Sequence, residues 1–297
     1  MLDDVMNQRD CKITRLTDRG VLHVSGEDAR DFLQGLITSD MGQVEPGAGI
    51  HAALLTPQGK ILFDFFITAE GTGFLMDCAR ASVGELMQRL GFYKLRAAVD
   101  FADLSDEMGV WAAWGDTSGF TGAGTMFPDP RLDGLGLRMI APIGADLANG
   151  VCSQESEAAY HAHRIALAVP EGGRDYQLGD TFPHEADLDE LNGIDFRKGC
   201  FIGQEVVSRV EHRGTARKRV VPVRASVPLM ADGPEVAADG AAIGRLGSVS
   251  DREGLALLRL DRAEKAIAQG KTIKAGDAAI ELLQPPWASF RVPRTEG

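Results

Sequence analysis

The sequence has 297 residues, 44% hydrophobic and 25% charged, proportions that exclude a disordered chain and a single small module. Forty-three acidic residues against 31 Lys and Arg leave a formal charge of −12, which repels nucleic acid at long range and excludes a general DNA coat. The length favours two or more packed units. No run of about 18 uncharged apolar residues occurs, and MLDDVMNQRDCK at the start has two early acids and no apolar stretch. The chain is therefore expected in the cytoplasm, with no membrane partner. Cys11, Cys78, Cys152 and Cys200 are widely spaced, with no CxxC pair and no zinc-type spacing, so reduced thiols and no permanently bound metal are expected.

Residues 13–24 alternate apolar and polar positions and predict two short strands joined at Asp18, Arg19 and Gly20. A helix follows, with Ser25 as cap and Ala29, Phe32, Leu33 and Leu36 at helical spacing. Runs at 50–55, 61–67 and 73–77 predict an antiparallel meander, the first two joined by the turn composition ThrProGlnGlyLys at 56–60. Ser82 caps a second helix that ends at Gly91, and a strand near 95–101 returns to the sheet. The Gly-, Pro- and Asp-rich stretch 115–136, between apolar runs at 110–114 and 135–140, is a candidate boundary. A helix over 154–168 precedes an irregular stretch to about 190, and short β runs after 215, such as 219–227 and 254–260, predict a small antiparallel barrel. The expected domains are 1–115, 116–214 and 215–297.

The densest polar concentration lies at 192–219, and within it Lys198, Gly199, Cys200, Phe201, Ile202, Gly203, Gln204 and Glu205 form a compact unit. Glycines on either side of a thiol allow positive φ and close approach of a ligand, and Arg197 and Lys198 favour the thiolate. From these features alone, Cys200 is either a reactive thiol or one more buried small hydrophobe. His161 and His163, at i and i+2 of a helix, face different sides and do not form a joint metal site. His184, Glu211 and His212 read as surface residues. The basic stretch Arg213, Arg217, Lys218, Arg219 and Arg224, with Arg209, is either a solvated strand entry or a steering patch for polyglutamate, phosphate or RNA. There is no nucleotide-binding glycine motif and no GxSxG or SxxK nucleophile.

KGCFIGQE resembles the signature of the YgfZ family, folate-binding proteins related to the T-protein (aminomethyltransferase) of glycine cleavage. The likeness extends to SGEDARDFLQGLITSD at 25–40, TPQGKILFDF at 56–65, YKLR at 93–96 and FPHEADLDELNGIDF at 182–196. It implies an α+β, T-protein-like, multi-lobed fold with antiparallel sheets and helices around a central cavity, and a C-terminal antiparallel β-barrel. It also implies tetrahydrofolate as ligand and a role in assembly or repair of iron–sulfur clusters, with iron–sulfur assembly components or clients as partners and an indirect link to tRNA modification. By position, Cys200 is the functional thiol and a possible transient metal ligand, Lys198 its cationic neighbour, and Gly199 and Gly203 the loop formers, with Phe201 between them. Gln204 and Glu205 either bond a pterin edge or cap a helix starting near Val206, and Arg209 either pairs with Glu205 or binds a folate carboxylate. Tyr160 falls where relatives carry an aromatic beside the folate, whereas Arg19 replaces a second one.

Two departures bear on the reaction. The T-protein's paired aspartates read Phe63 and Asp64 here, and its ArgxGluAlaGly stretch reads Arg164, Ile165, Ala166, Leu167, Ala168, without the acid. Aminomethyl transfer is therefore the alternative rather than the leading expectation, with Asp64 its remaining carboxylate. The expected protein is an accessory factor without conventional turnover, and an RNA-binding module is a third reading that the charge disfavours.

Overall fold

The computed structural model describes residues 10–147, 150–214 and 216–294. The reading drawn on residues 1–9 lies outside the described residues. The chain divides into two compact units, unit 1 of Met1–Tyr160 with Asn192–Gln204 and unit 2 of His161–Leu191 with Glu205–Gly297.

Unit 1 begins with β1 (Lys12–Leu16) and β2 (Arg19–Ser25), the predicted strand pair, followed by helix α1 (Ala29–Gln34). Asp28 rather than Ser25 precedes α1, and its carboxylate accepts from the Ala98 N–H at 2.7 Å. The predicted meander is β3 (Gly49–Leu55), β4 (Ile61–Glu70) and β5 (Gly73–Ala79). Helix α2 (Val83–Lys94) runs through Gly91, where a β-carbon would meet open space, instead of stopping there. Then come β6 (Asp100–Asp103), β7 (Met108–Trp114), β8 (Thr125–Pro128), β9 (Leu137–Pro142) and β10 (Ser153–Gln154).

These strands form two five-stranded sheets, ordered β3-β4-β5-β2-β6 and β10-β1-β7-β9-β8, antiparallel except for the β1–β10 pair. The first sheet buries Leu22, Val24, Leu54, Phe65 and Met76 against α1 and α2, whose Leu33, Leu86 and Leu90 face it at helical spacing. The boundary expected at 115/116 is not a boundary. Residues 115–136 are an excursion between β7 and β9, which pair from Met108↔Pro142 to Ala113↔Leu137, so the first and second expected lobes share a sheet.

Cys11 and Cys152 are joined by a disulfide across 141 residues, with Cα atoms 4.4 Å apart, which corrects the expectation of four reduced thiols. Parallel pairing of Lys12 with Ser153 sets the two cysteines side by side at the start of that ladder.

In unit 2, helix α3 (Glu157–Ala166), inside which the chain passes from unit 1, is followed by a 3-10 turn at Pro183–Ala186 and helix α4 (Gln204–Arg213). The strands β11 (Lys218–Ala225), β12 (Glu235–Ala238), β13 (Ala241–Ser250), β14 (Glu253–Arg259), β15 (Ile273–Ala275) and β16 (Ala278–Leu282) close a barrel in the order β11-β14-β13-β12-β15-β16. Helix α5 (Leu260–Ala268), absent from the sequence reading, packs its Ala263 and Ala266 on the barrel core with Val221, Val223 and Leu258. The α+β class and the C-terminal barrel agree with expectation.

Candidate functional site

The signature segment is strapped onto unit 1 by polar contacts that its own sequence supplies. Thr38 Oγ1 donates to the Gly193 carbonyl at 2.6 Å, and the Asp195 N–H donates to the Thr38 carbonyl at 3.0 Å. Asp195 then organises the turn: Oδ1 accepts from the Arg197 and Lys198 N–H groups at 2.8 and 3.2 Å, and Oδ2 accepts from Gln43 Nε2 at 2.9 Å. A carboxylate in this role holds the chain that leads to Cys200.

Lys198 points inward rather than toward a substrate. Its ammonium donates to the carbonyls of Gln34, Ile37 and Ser39 at 2.8, 2.6 and 3.0 Å, matching three donors with three acceptors at and just past the end of α1. Burial pulls the group down to about 8, with Asp40 and Asp195 opposing. The ammonium also lies 5.4 Å from the centre of the buried Phe201 ring. Gly203, with φ 80°, closes the strap against the 56–60 turn. A lysine and a phenylalanine thus root the loop, and Gly199 and Cys200 are left exposed between them.

The four cysteines have three fates. Cys11 and Cys152 are bonded to each other, and Cys78 is buried in β5, where desolvation pushes its thiol up to about 12. Cys200 is free and exposed, not the buried small hydrophobe of the alternative reading. A cleft of about 510 Å³ in unit 1 is lined by Ser39, Gln43, Asn192, Asp195, Phe196 and Arg197 of the same strap and its support.

Several residues assigned to folate by resemblance are engaged elsewhere. Tyr160 is only 2% exposed, with its ring edge-on to Trp114 and its hydroxyl 3.3 and 3.4 Å from Arg131 and Arg138, so it offers no stacking platform. This corrects the expectation for Tyr160. It belongs to a buried network in which Asp77 bridges Arg19 and Arg138, while Asp129 holds Arg131 and Arg138. All three guanidinium groups lie over the Phe66 ring, at 5.7, 4.9 and 3.9 Å for Arg19, Arg131 and Arg138.

Arg209 pairs with Glu205 at 2.6 Å on the exposed face of α4, the arrangement of the pairing alternative, and the helix starts at Gln204 rather than Val206. Asp64 remains a half-buried carboxylate on β4, between the buried Phe63 and Phe65.

The basic stretch is largely neutralised within unit 2. Arg219 is buried and bonds Asp189 with both terminal nitrogens at 2.6 and 2.8 Å, Lys218 lies 3.6 Å from Glu185, and Arg224 lies 2.9 Å from Glu253. His184 is buried, not a surface residue, with Nε2 3.1 Å from Glu211 Oε2.

Sequence reasoning missed Asp195, Thr38 and the Asp77 network. The one available signal was a charge inside an apolar strand, as in GFLMDCA and LRMIAP.

Residues 217–290 match the family model described as the CAF17 C-terminal β-barrel domain. The chain is 32% identical over 300 residues to the iron–sulfur cluster assembly factor IBA57 homolog, mitochondrial, of Neurospora crassa, covering 93% of this chain and 66% of that one. It is 31% identical to the human iron–sulfur cluster assembly factor IBA57, mitochondrial, over 92% of this chain and 84% of that one. The chain thus spans about two thirds of the Neurospora relative's length and 57% of that from Mycosarcoma maydis. Among solved structures, the glycine cleavage system aminomethyltransferase T of Bartonella henselae superposes with a TM-score of 0.74 at 17% identity, over 99% of this chain and 91% of that one, a likeness of fold alone.

These names overturn the cytoplasmic expectation, since the relatives are called mitochondrial. That expectation stood on the composition of MLDDVMNQRDCK, which does not distinguish the two compartments, because organelle addresses need no apolar run.

Proposed function

Because the chain belongs to the IBA57 family of iron–sulfur cluster assembly factors, we propose that it acts as an accessory factor in assembling or repairing iron–sulfur proteins, with Cys200 as its working thiol. The observation that carries this reading is the fate of the cysteines: two are bonded together, one is buried, and Cys200 alone is free and exposed. One thiolate cannot hold a cluster that takes four. The remaining ligands come from a second protein or a small thiol, which makes the role one of transfer or protection rather than storage. The Asp195 and Lys198 contacts position the loop, so that the thiol is presented without a search through loop conformations.

Folate was assigned to the chain by resemblance, and the residues here do not fit that assignment well. Tyr160 is buried, Arg209 is paired, and Ala166 stands where the acid would be. No step is derived through folate. Aminomethyl transfer lacks its carboxylate pair, since Phe63 precedes Asp64, and the RNA reading loses Lys218, Arg219 and Arg224 of the basic stretch to internal pairs.

The deciding experiment is rescue of [4Fe–4S] enzyme activity in cells lacking this protein. Wild type restores it, and Cys200→Ser, which folds normally, does not; full rescue by Cys200→Ser sinks the proposed role. A calorimetric titration with tetrahydrofolate tests the folate assignment, and any heat seen is expected to be unchanged in Tyr160→Phe and Arg209→Ala.

A further inference from the structure

Helix α2 ends in a tight turn closed by the Ala97 N–H donating to the Lys94 carbonyl at 2.8 Å. Leu95 is the second residue of that turn, with φ 45° and ψ −103°. This is close to the first central position of a type II′ turn, where glycine is the usual occupant and a β-carbon is strained. The leucine gains nothing from the fold in return, since its side chain is 91% exposed.

The turn is nonetheless fixed: Ala98 and Asp28 exchange two hydrogen bonds, at 2.7 and 3.3 Å, and Val99 is buried. Phe92, in the last turn of the helix and three residues before Leu95, is 65% exposed. Arg89 and Arg96, both exposed, flank the pair, while Lys94 is neutralised by Asp100 at 3.2 Å. The tip is thus apolar with two exposed arginines near it, while the acids that touch the turn, Asp28 and Asp100, are engaged by the Ala98 N–H and Lys94.

We infer that the Phe92–Leu95 turn is the docking anchor for a partner protein presenting an apolar pocket rimmed by carboxylates. The charges choose among occupants. A second copy meeting this patch brings two more arginines to the contact rather than a carboxylate rim. A pocket with acidic walls takes the two apolar side chains as anchors and the two arginines as its steering contacts.

Position relates the anchor to the site already described. Asp28 clamps the turn at the start of α1, and the Gln34 carbonyl at its end receives Lys198. The six residue steps from Asp28 to Gln34 rise about 9 Å along α1, so the turn and the strap are both tied to this one short helix. The inference therefore deepens the assembly-factor reading: the partner is the protein that supplies the other cluster ligands.

The test uses the full chain with Leu95→Gly. Release of the strained turn is expected to raise the thermal midpoint by about 2–4 °C, while rescue of [4Fe–4S] enzymes falls at least fivefold with Cys200 intact. A photo-crosslinker, p-benzoylphenylalanine in place of Phe92, is expected to join a different protein within a peptide rich in Asp and Glu. That product disappears with Leu95→Gly and persists with Cys200→Ser.

A lowered midpoint, full rescue by Leu95→Gly, or crosslinks only to lipid or to a second copy overturns the inference. The two readings fail separately. Rescue by Cys200→Ser removes the thiol's role and leaves the anchor standing, whereas rescue by Leu95→Gly removes the anchor alone.

Discussion

The Thr56 carbonyl oxygen faces Gly203 so closely that a β-carbon at Gly203 would lie 2.7 Å from it. With φ 80° at the same residue, two independent constraints make glycine the only comfortable occupant. Gly203→Ala is expected to cost about 2–4 kcal/mol in urea unfolding. Gly199, whose β-carbon would meet nothing within 4 Å, is expected to accept alanine within about 0.5 kcal/mol. Equal losses for the two variants would show that the strap is not seated on the 56–60 turn.

Asp77 is fully buried between Arg19 and Arg138, so Asp77→Asn leaves two guanidinium groups short of their counter-charge. The expected loss is about 3–5 kcal/mol, against about 1 kcal/mol for Tyr160→Phe, which removes only a neutral partner. The same network sets an acid limit. Burial pushes the Asp129 carboxyl up, but Arg131 and Arg138 together pull it below the ordinary carboxylate range. Its contribution is present above about pH 4 and is lost as pH falls toward its folded value. Chemical denaturation at pH 6, 4 and 3 measures both effects.

Asp187 behaves in the opposite sense. It is fully buried, its Oδ2 has no hydrogen-bond partner among the described residues, and burial holds its carboxyl well above the ordinary range despite Arg219. A raised folded value means that stability is highest while the group is protonated and falls as pH rises toward that value. Asp187→Asn is therefore expected to stabilise at pH 7 by about 1 kcal/mol or more, with the gain vanishing below about pH 4. Asparagine also tolerates the left-handed backbone at this position, φ 59°. A gain that persists unchanged to pH 3 would contradict this account.

The Cys11–Cys152 bond closes a loop of 141 residues. Reduction, or Cys152→Ser, is expected to lower stability by about 2–4 kcal/mol, read as a drop in thermal midpoint. Cys200→Ser provides the control that leaves the midpoint unmoved.

Much of this architecture is legible in the sequence, for identifiable reasons. The strand pair at 12–25, the meander and the barrel strands follow from alternation and turn residues, which are local signals. What escapes local reading is pairing over long separations. Cys11 meets Cys152, Arg19 meets Asp77, and β1 pairs with β7 and β10 rather than with β2, its neighbour in sequence. Helix α5 escapes because its first residue, Leu260, closes the apolar run 254–260 that reads as a strand, although Leu260, Ala263, Ala266 and Ile267 recur at helical spacing. At the site, the loop with Cys200 could be found from composition and resemblance. That Lys198 serves backbone carbonyls and Tyr160 serves two arginines could not, since both facts depend on what lies across the fold.

Unit 1 is not contiguous, because residues 192–204 complete it after a detour of 31 residues through the other unit. During synthesis the two sheets leave the ribosome well before the strap that carries Cys200, and the carbonyls of Gln34, Ile37 and Ser39 wait for Lys198 to be translated. The thiol-bearing loop is therefore the last part of its unit to be made, and it can lock only onto a scaffold that has already been built. A nascent chain arrested before residue 192 has the sheets but not Cys200, so exposure of that thiol is delayed until the structure that restrains its loop exists.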